Sequence, residues 1–200
     1  PKQAGIGGTL GDVGSHALNL LEYIINDRVT RICADKSTFL PDRKLDEDVN
    51  VLLHLNGGGK GILTVSQIAT GEENNLWIRI YASEGAVVWR QENPNYLEVY
   101  RYGEPRQTMT RASKYLSTVA QDATRVPTGH PEGYLEAFAT IYCGAVEAIR
   151  KHIDGNSLDP EDYNFPTVYD GLLGMQFIYK AVESSEKGAV WVELPPEFSR

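Results

Sequence analysis

Cysteine is scarce in this chain: Cys33 and Cys143 are the two among 200 residues, far apart, with no CxxC pair and no histidine pattern beside them. A disulfide framework and a thiolate zinc site are therefore excluded as organising features. A reduced, cytoplasmic chain is the simplest expectation. Long apolar runs are lacking too, since none approaches the roughly 18 to 20 residues of a membrane span, and a soluble protein without a membrane partner is expected. Positive charge is in deficit, with 19 Lys and Arg against 27 Asp and Glu, a net charge of −8. Phosphate-backbone binding draws on clustered Lys and Arg, so a nucleic-acid partner is not expected. An initiator methionine is missing as well. The chain opens at Pro1, a few residues before its most chemical motif, and the expectation is that the N-terminal part of a longer protein precedes it.

What is present is enough apolar residue, 42% of the chain, to bury the core of one large domain. Residues 1–10 are rich in glycine and lack a period, and read as a loop. An apolar-periodic helix follows over residues 11–26, ended by Asn26-Asp27. Residues 29–39 turn to β-branched alternation, and residues 41–48 form a charged connector. Two alternating runs, residues 49–55 and 61–68, flank Asn56-Gly57-Gly58-Gly59 and read as a hairpin. Further strands are expected over residues 76–82, 85–89, 96–102 and 106–110, each bounded by turn signals. Residues 111–129 lose the pattern and read as a long connection. A second helix is expected from His130-Pro131 to about Ile153, with Pro131 in its first turn and Glu132 and Glu136 at its positive end. A third runs over residues 167–186, with Val168, Leu172, Met175, Ile178, Tyr179 and Val182 inward. Residues 189–194 supply a last strand. The expected class is α+β: a large, mainly antiparallel sheet with helices on one face. The bare face would then need a partner, so a homo-oligomer packed through the sheet is expected.

Chemistry concentrates in Gly7-Gly8-Thr9-Leu10-Gly11-Asp12-Val13-Gly14-Ser15-His16. With about 3.6 residues per turn, Asp12, His16, Asn19 and Tyr23 line one stripe. Val13, Ala17, Leu20, Leu21 and Ile24 form the neighbouring apolar one. Histidine titrates near neutrality and accepts a hydroxyl proton, while a carboxylate one turn away orients it. A helix cap accounts for the same spacing. Gly129-His130-Pro131-Glu132-Gly133-Tyr134 is a second candidate, with an imidazole and a phenol one turn apart at a helix entry. His54 and His152 read as structural or exposed. The glycines do not form a nucleotide loop: Gly5-Ile6-Gly7-Gly8 lacks the third glycine and the preceding strand of a dinucleotide fingerprint, and Gly57-Gly58-Gly59-Lys60-Gly61 lacks the spacing of a P-loop. A metal site on Asp12, His16 and His130 is disfavoured because no dense ligand set accompanies them.

The Gly-Gly-Thr-Leu-Gly-Asp-Val-Gly-Ser-His element, the Gly-His-Pro-Glu-Gly-Tyr element and the closing Asp170-Gly171-Leu172-Leu173-Gly174-Met175 together resemble the C-terminal half of a glucose-fructose oxidoreductase/inositol dehydrogenase (Gfo/Idh/MocA) family protein. The resemblance spans nearly the whole chain. It implies that residues 1–200 form the substrate-binding and oligomerisation domain of a two-domain dehydrogenase acting on a sugar, inositol or related polyol. It further implies that NAD or NADP is bound mainly by an N-terminal Rossmann domain absent from this chain, so that the fragment alone is inactive. His16 then falls on the family's acid/base histidine and Asp12 on its partner, both catalytic and substrate-binding, while His130 and Tyr134 lie in a segment that binds substrate. The competing expectation is a non-catalytic carbohydrate-binding or scaffold module.

Overall fold

The computed structural model describes residues 5–159 and 165–195. Parts of the expected opening loop, of the 156–166 loop and of the C-terminal tail fall outside them. Among the described residues eight strands and four α-helices follow one another, preceded by a π-helical turn at Leu10–Gly14 that runs directly into α1 (Ser15–Ile25). The strands are β1 (Val29–Ser37), β2 (Asp48–Leu55), β3 (Lys60–Ser66), β4 (Trp77–Ala82), β5 (Gly85–Arg90), β6 (Tyr96–Arg101), β7 (Gln107–Thr110) and β8 (Val192–Glu193). The remaining helices are α2 (Thr118–Asp122), α3 (Tyr134–Ile153) and α4 (Val168–Glu186). The α+β class is as expected, and every strand pair is antiparallel. The strands form two four-stranded sheets, ordered β3-β2-β1-β8 and β4-β5-β6-β7, where the sequence pattern suggested one large sheet. The chain divides correspondingly into two compact units, one of residues 1–71 and 166–200 and one of residues 72–165.

The first unit holds the main core. Period-two alternation puts Ile32 and Ala34 of β1, Val49, Val51 and Leu53 of β2, and Leu63 and Val65 of β3 on one face of the sheet, all buried. Leu10, Leu18, Phe177, Ile178, Ala181 and Val182 join the same cluster from the π-helical turn, α1 and α4. Fully burying a side chain the size of Phe177 or Leu10 contributes about 1.5–3 kcal/mol. The opposite face of this sheet stays open, with Leu52 45% and Ile62 75% exposed.

Two helix faces depart from expectation. On α1 the buried line is Leu10, Gly14 and Leu18, flanked by Val13, Ala17 and Leu21, whereas Ile24 is exposed. On α4 the inward residues are Phe177, Ile178, Ala181, Val182 and Ser184, while Val168, Leu172, Met175 and Tyr179 are exposed. The α4 sequence is apolar around much of its circumference, so periodicity alone selects no unique face. Ser184 then decides the fit, because its hydroxyl donates to Val190 O at 2.5 Å and accepts from Ala34 N at 2.9 Å, docking the helix against β1.

In the second unit β4–β7 form a meander, and Val88 and Ala148 are its buried apolar residues among those described. The pattern-free stretch after β7 contains the short helix α2, whose Ser117 hydroxyl accepts from Ala120 N at 3.3 Å. The next helix begins at Tyr134, four residues beyond His130, because Gly133 serves as its cap and Glu136 reaches back to Gly133 N at 3.0 Å. Pro131 and Glu132 consequently precede the helix. Glu136 occupies the positive end as expected; Glu132 does something else, described below.

Candidate functional site

The Gly7–His16 stretch is built around a carboxylate that the sequence reading passed over. Asp46, 2% exposed, accepts from Gly8 N through Oδ1 and from Leu10 N through Oδ2, both at 2.8 Å. Its own carbonyl takes Thr9 N at 3.0 Å. Three successive N–H groups that a helix start leaves without intrahelical partners are thereby satisfied from a distant loop. Glycine is required here by close approach. A Cβ on Gly8 would lie 2.4 Å from Asp46 O, and one on Gly7 would lie 2.9 Å from Ile178 Cγ2. The glycines thus seat the helix start against the core.

Asp12 sits in the π-helical turn, a feature that recurs at functional sites. Its carboxylate accepts from Gln67 Nε2 at 2.7 Å, and Gln67 N in turn donates to Glu47 O at 2.9 Å. A closed circuit results: Asp46-Glu47 holds both the glycine lead-in and Gln67, and Gln67 holds Asp12. His16 lies on the same exposed stripe as Asp12, Asn19 and Tyr23, as the spacing predicted. Among the described residues no hydrogen bond or ion pair joins Asp12 to His16. The carboxylate is oriented by Gln67, and the imidazole faces solvent with its nitrogens available.

His130 and Tyr134 belong to the second unit, and both are exposed. The Tyr134 ring packs on Phe138 at 4.8 Å between centroids. Their segment is fixed by Glu132, 8% exposed, whose carboxylate forms an ion pair with Arg111 and accepts from Arg125 N at 2.6 Å. Glu136 is held below the usual carboxylate range, first by the bond from Gly133 and then by its own backbone N–H, with the Arg111 and Arg125 charges adding to the effect. His54, read as structural or exposed, lies in β2 with its ring centroid 4.3 Å from that of Trp191. His152 lies in the last turn of α3.

Asp46 and Gln67 support the candidate residues of the first unit and Arg111 those of the second, and sequence reasoning missed all three. Asp46 lay in the charged connector, Gln67 near the end of an expected strand and Arg111 at the start of the long connection, none of them with a spacing signal. The glycine-rich helix start is not free to cradle a phosphate either. A phosphate at a glycine-rich helix start needs free backbone N–H groups, and those of Gly8 and Leu10 are taken by Asp46. Among the described residues no cluster of His, Cys, Asp and Glu suits a metal ion, and no helix is long and apolar enough to cross a membrane.

Two antiparallel sheets, a helix start held by a buried carboxylate and an exposed Asp/His stripe define an α+β domain. The family model for the GFO/IDH/MocA C-terminal domain matches residues 1–88. An uncharacterized oxidoreductase of Bacillus subtilis is 32% identical over 199 residues, covering 97% of this chain and 50% of its own length. Among solved structures, an oxidoreductase from Sinorhizobium meliloti superposes with TM-score 0.86 at 39% identity, covering 92% of this chain and 52% of that one. An inositol dehydrogenase homolog from Azotobacter vinelandii, crystallised with NADH and myo-inositol, gives TM-score 0.86 at 29% identity, covering 92% of this chain and 49% of that one. Residues 1–88 carry the GFO/IDH/MocA C-terminal domain, and nearly the whole chain is similar to oxidoreductases of this kind. The chain spans about half the length of each of these relatives.

Proposed function

We propose that this chain is the substrate-binding and oligomerisation domain of an NAD(P)-dependent dehydrogenase acting on a sugar, inositol or related polyol. His16 accepts the proton of the substrate hydroxyl, and Asp12 positions either His16 or the substrate. His130 and Tyr134 bind substrate hydroxyls. The nicotinamide cofactor is held by a domain outside this chain, consistent with the occupied N–H groups at Gly8 and Leu10. The chain by itself is then inactive. The observation that carries the reading is the Asp12/His16 stripe: exposed, polar, and fixed at its acidic end by Gln67 and Asp46, where a bare helix cap would need no such bracing. The structural likeness to an inositol dehydrogenase homolog bound to NADH and myo-inositol supports the substrate class. The open sheet face bearing Leu52 and Ile62 supports assembly of identical subunits.

The test uses the complete protein, assayed with NAD and NADP across a panel of inositols and aldoses. Turnover of at least one panel member is expected, and His16→Ala should lower kcat by about two to four orders of magnitude. Unchanged kcat in that variant removes His16 from the mechanism. Binding without turnover by the intact protein would favour the carbohydrate-binding module instead.

A further inference from the structure

The segment between α2 and α3 carries His130 and leads into Tyr134, the first residue of α3, yet has no regular structure of its own, and its path is set by bonds that converge on Arg111, Asn95 and Glu132. Arg111, immediately after β7, donates through Nε to Asn95 Oδ1 at 2.7 Å, and through its terminal nitrogens to Val126 O at 2.7 Å, Pro127 O at 3.4 Å and His130 O. The same guanidinium pairs with the buried Glu132 carboxylate. Asn95 completes the arrangement from the other side: its Oδ1 accepts from Glu132 N at 3.0 Å and its Nδ2 donates to Glu132 O at 2.9 Å. Thr128 is tied as well, its hydroxyl donating to Ala112 O at 3.1 Å. Ala112 itself sits at φ +62°, in the left-handed region that a residue with a Cβ adopts at a cost.

The placement of charge distinguishes this cluster from ordinary loop packing. The polar contacts converge on backbone and on Glu132, while the His130 imidazole and the Tyr134 hydroxyl, two of the chemically active groups of the segment, stay exposed. A strained residue beside a buried ion pair that rigidifies an otherwise irregular segment fits a preorganised recognition loop, in which ordering is completed before a ligand arrives. Arginine is the residue suited to this task, because its planar fork serves several carbonyls and a carboxylate at once and lysine cannot.

We propose that Arg111, Glu132 and Asn95 are positioning residues of the substrate site, forming a clamp that presets His130 and Tyr134 for substrate hydroxyls; this rests on the assignment of those two residues to substrate binding. The clamp acts on KM, because it determines how much ordering substrate must drive, and leaves proton transfer at His16 unaffected.

The experiment is a double-mutant cycle in the complete oxidoreductase, using the inositol or aldose of highest kcat/KM in the panel above. Arg111→Lys keeps the charge and loses the fork. It should raise KM about tenfold with kcat within about threefold. His130→Ala should raise KM by a similar factor, and the double variant should raise KM by clearly less than the product of the two factors, because the clamp works in part through that residue. Additive effects, or an Arg111→Lys loss confined to kcat, overturn the clamp while leaving the substrate assignment standing. An unaltered KM in His130→Ala overturns the substrate assignment and the clamp with it. If Arg111→Lys does not fold, Glu132→Gln replaces it, an isosteric change that keeps an acceptor for Arg125 N. Amide exchange over residues 126–134 should then quicken about tenfold while residues 48–66 are unchanged; equal protection in both forms refutes the proposal.

Discussion

Asp46→Ala is the perturbation that most directly tests how the helix start is held. The carboxylate is 2% exposed, so solvent screening is negligible. It accepts two backbone N–H bonds of 2.8 Å, from Gly8 and Leu10. A hydrogen bond to a charged group contributes about 1.5–3 kcal/mol, and a buried donor stripped of its partner costs about 1–3 kcal/mol. The two bonds share one carboxylate and one loop, so their losses overlap, and Asp46→Ala should destabilise by about 3–5 kcal/mol. Asp46→Asn retains one acceptor oxygen and turns the other position into a donor facing an N–H group, for a loss of about 1–2 kcal/mol. Urea midpoints of the intact protein measure both values. Amide exchange localises them, with the Gly8 and Leu10 protons losing protection ahead of the β2–β3 hairpin. Because Asp12 follows Leu10 within the same π-helical turn, kcat should fall in parallel with this local opening. A cost below about 1 kcal/mol for Asp46→Ala, or exchange unaltered at Gly8 and Leu10, would refute the bracing role.

Two further expectations concern stability and assembly. Glu183 receives bonds of 2.7 Å from both Lys180 and Lys187, which hold its carboxyl down to about 2 from an ordinary 4.5. A folded-state value below the unfolded one gives stabilisation that is complete above pH 4.5 and lost as pH falls toward about 2. Glu183→Gln should therefore flatten the stability curve across that window, and high salt should weaken the effect because the side chain is partly exposed, at 34%; identical pH profiles for the two proteins would refute the assignment. For assembly, Ile62 is 75% exposed and lies opposite Leu52 on the open sheet face. Ile62→Lys should shift the sedimentation of the intact protein toward monomer at micromolar concentration, and a wild-type monomer would remove the sheet face as an interface.

The legible parts of this fold are those where one residue's chemistry or one short period decides the outcome. Asn56-Gly57-Gly58-Gly59 lies between β2 and β3 as its sequence indicated, because a tight turn between alternating runs admits few alternatives. The α1 stripe of Asp12, His16, Asn19 and Tyr23 was equally readable, since spacing alone puts them together. Facing directions on α4 were not, because Leu172, Met175 and Tyr179 are as apolar as Phe177 and Ile178. The choice between them is made by a contact 150 residues away in sequence, Ser184 with Ala34. The division of the strands into two sheets was hidden for a related reason: alternation reports that a segment is a strand and is silent about where pairing stops.

The same distinction explains why the candidate functional residues were readable and their supports were not. Asp12, His16, His130 and Tyr134 are exposed residues in local motifs, and a motif announces such residues by type and spacing. Asp46, Gln67 and Arg111 work by reaching backbone or side-chain atoms that are remote in sequence, at separations of 38, 55 and 15 residues in the bonds to Gly8, Asp12 and Val126. Nothing in their immediate neighbourhood differs from that of a solvated loop residue. The opening glycines show the consequence. They read as a loop, whereas the Cβ positions of Gly7 and Gly8 are filled by Ile178 and the Asp46 loop. Glycine there serves to bring two stretches of backbone within hydrogen-bonding distance. Asp12 thus acquires a defined place because the chain beneath it has no room to move, and a single added methyl at Gly8 attacks that arrangement at its tightest contact.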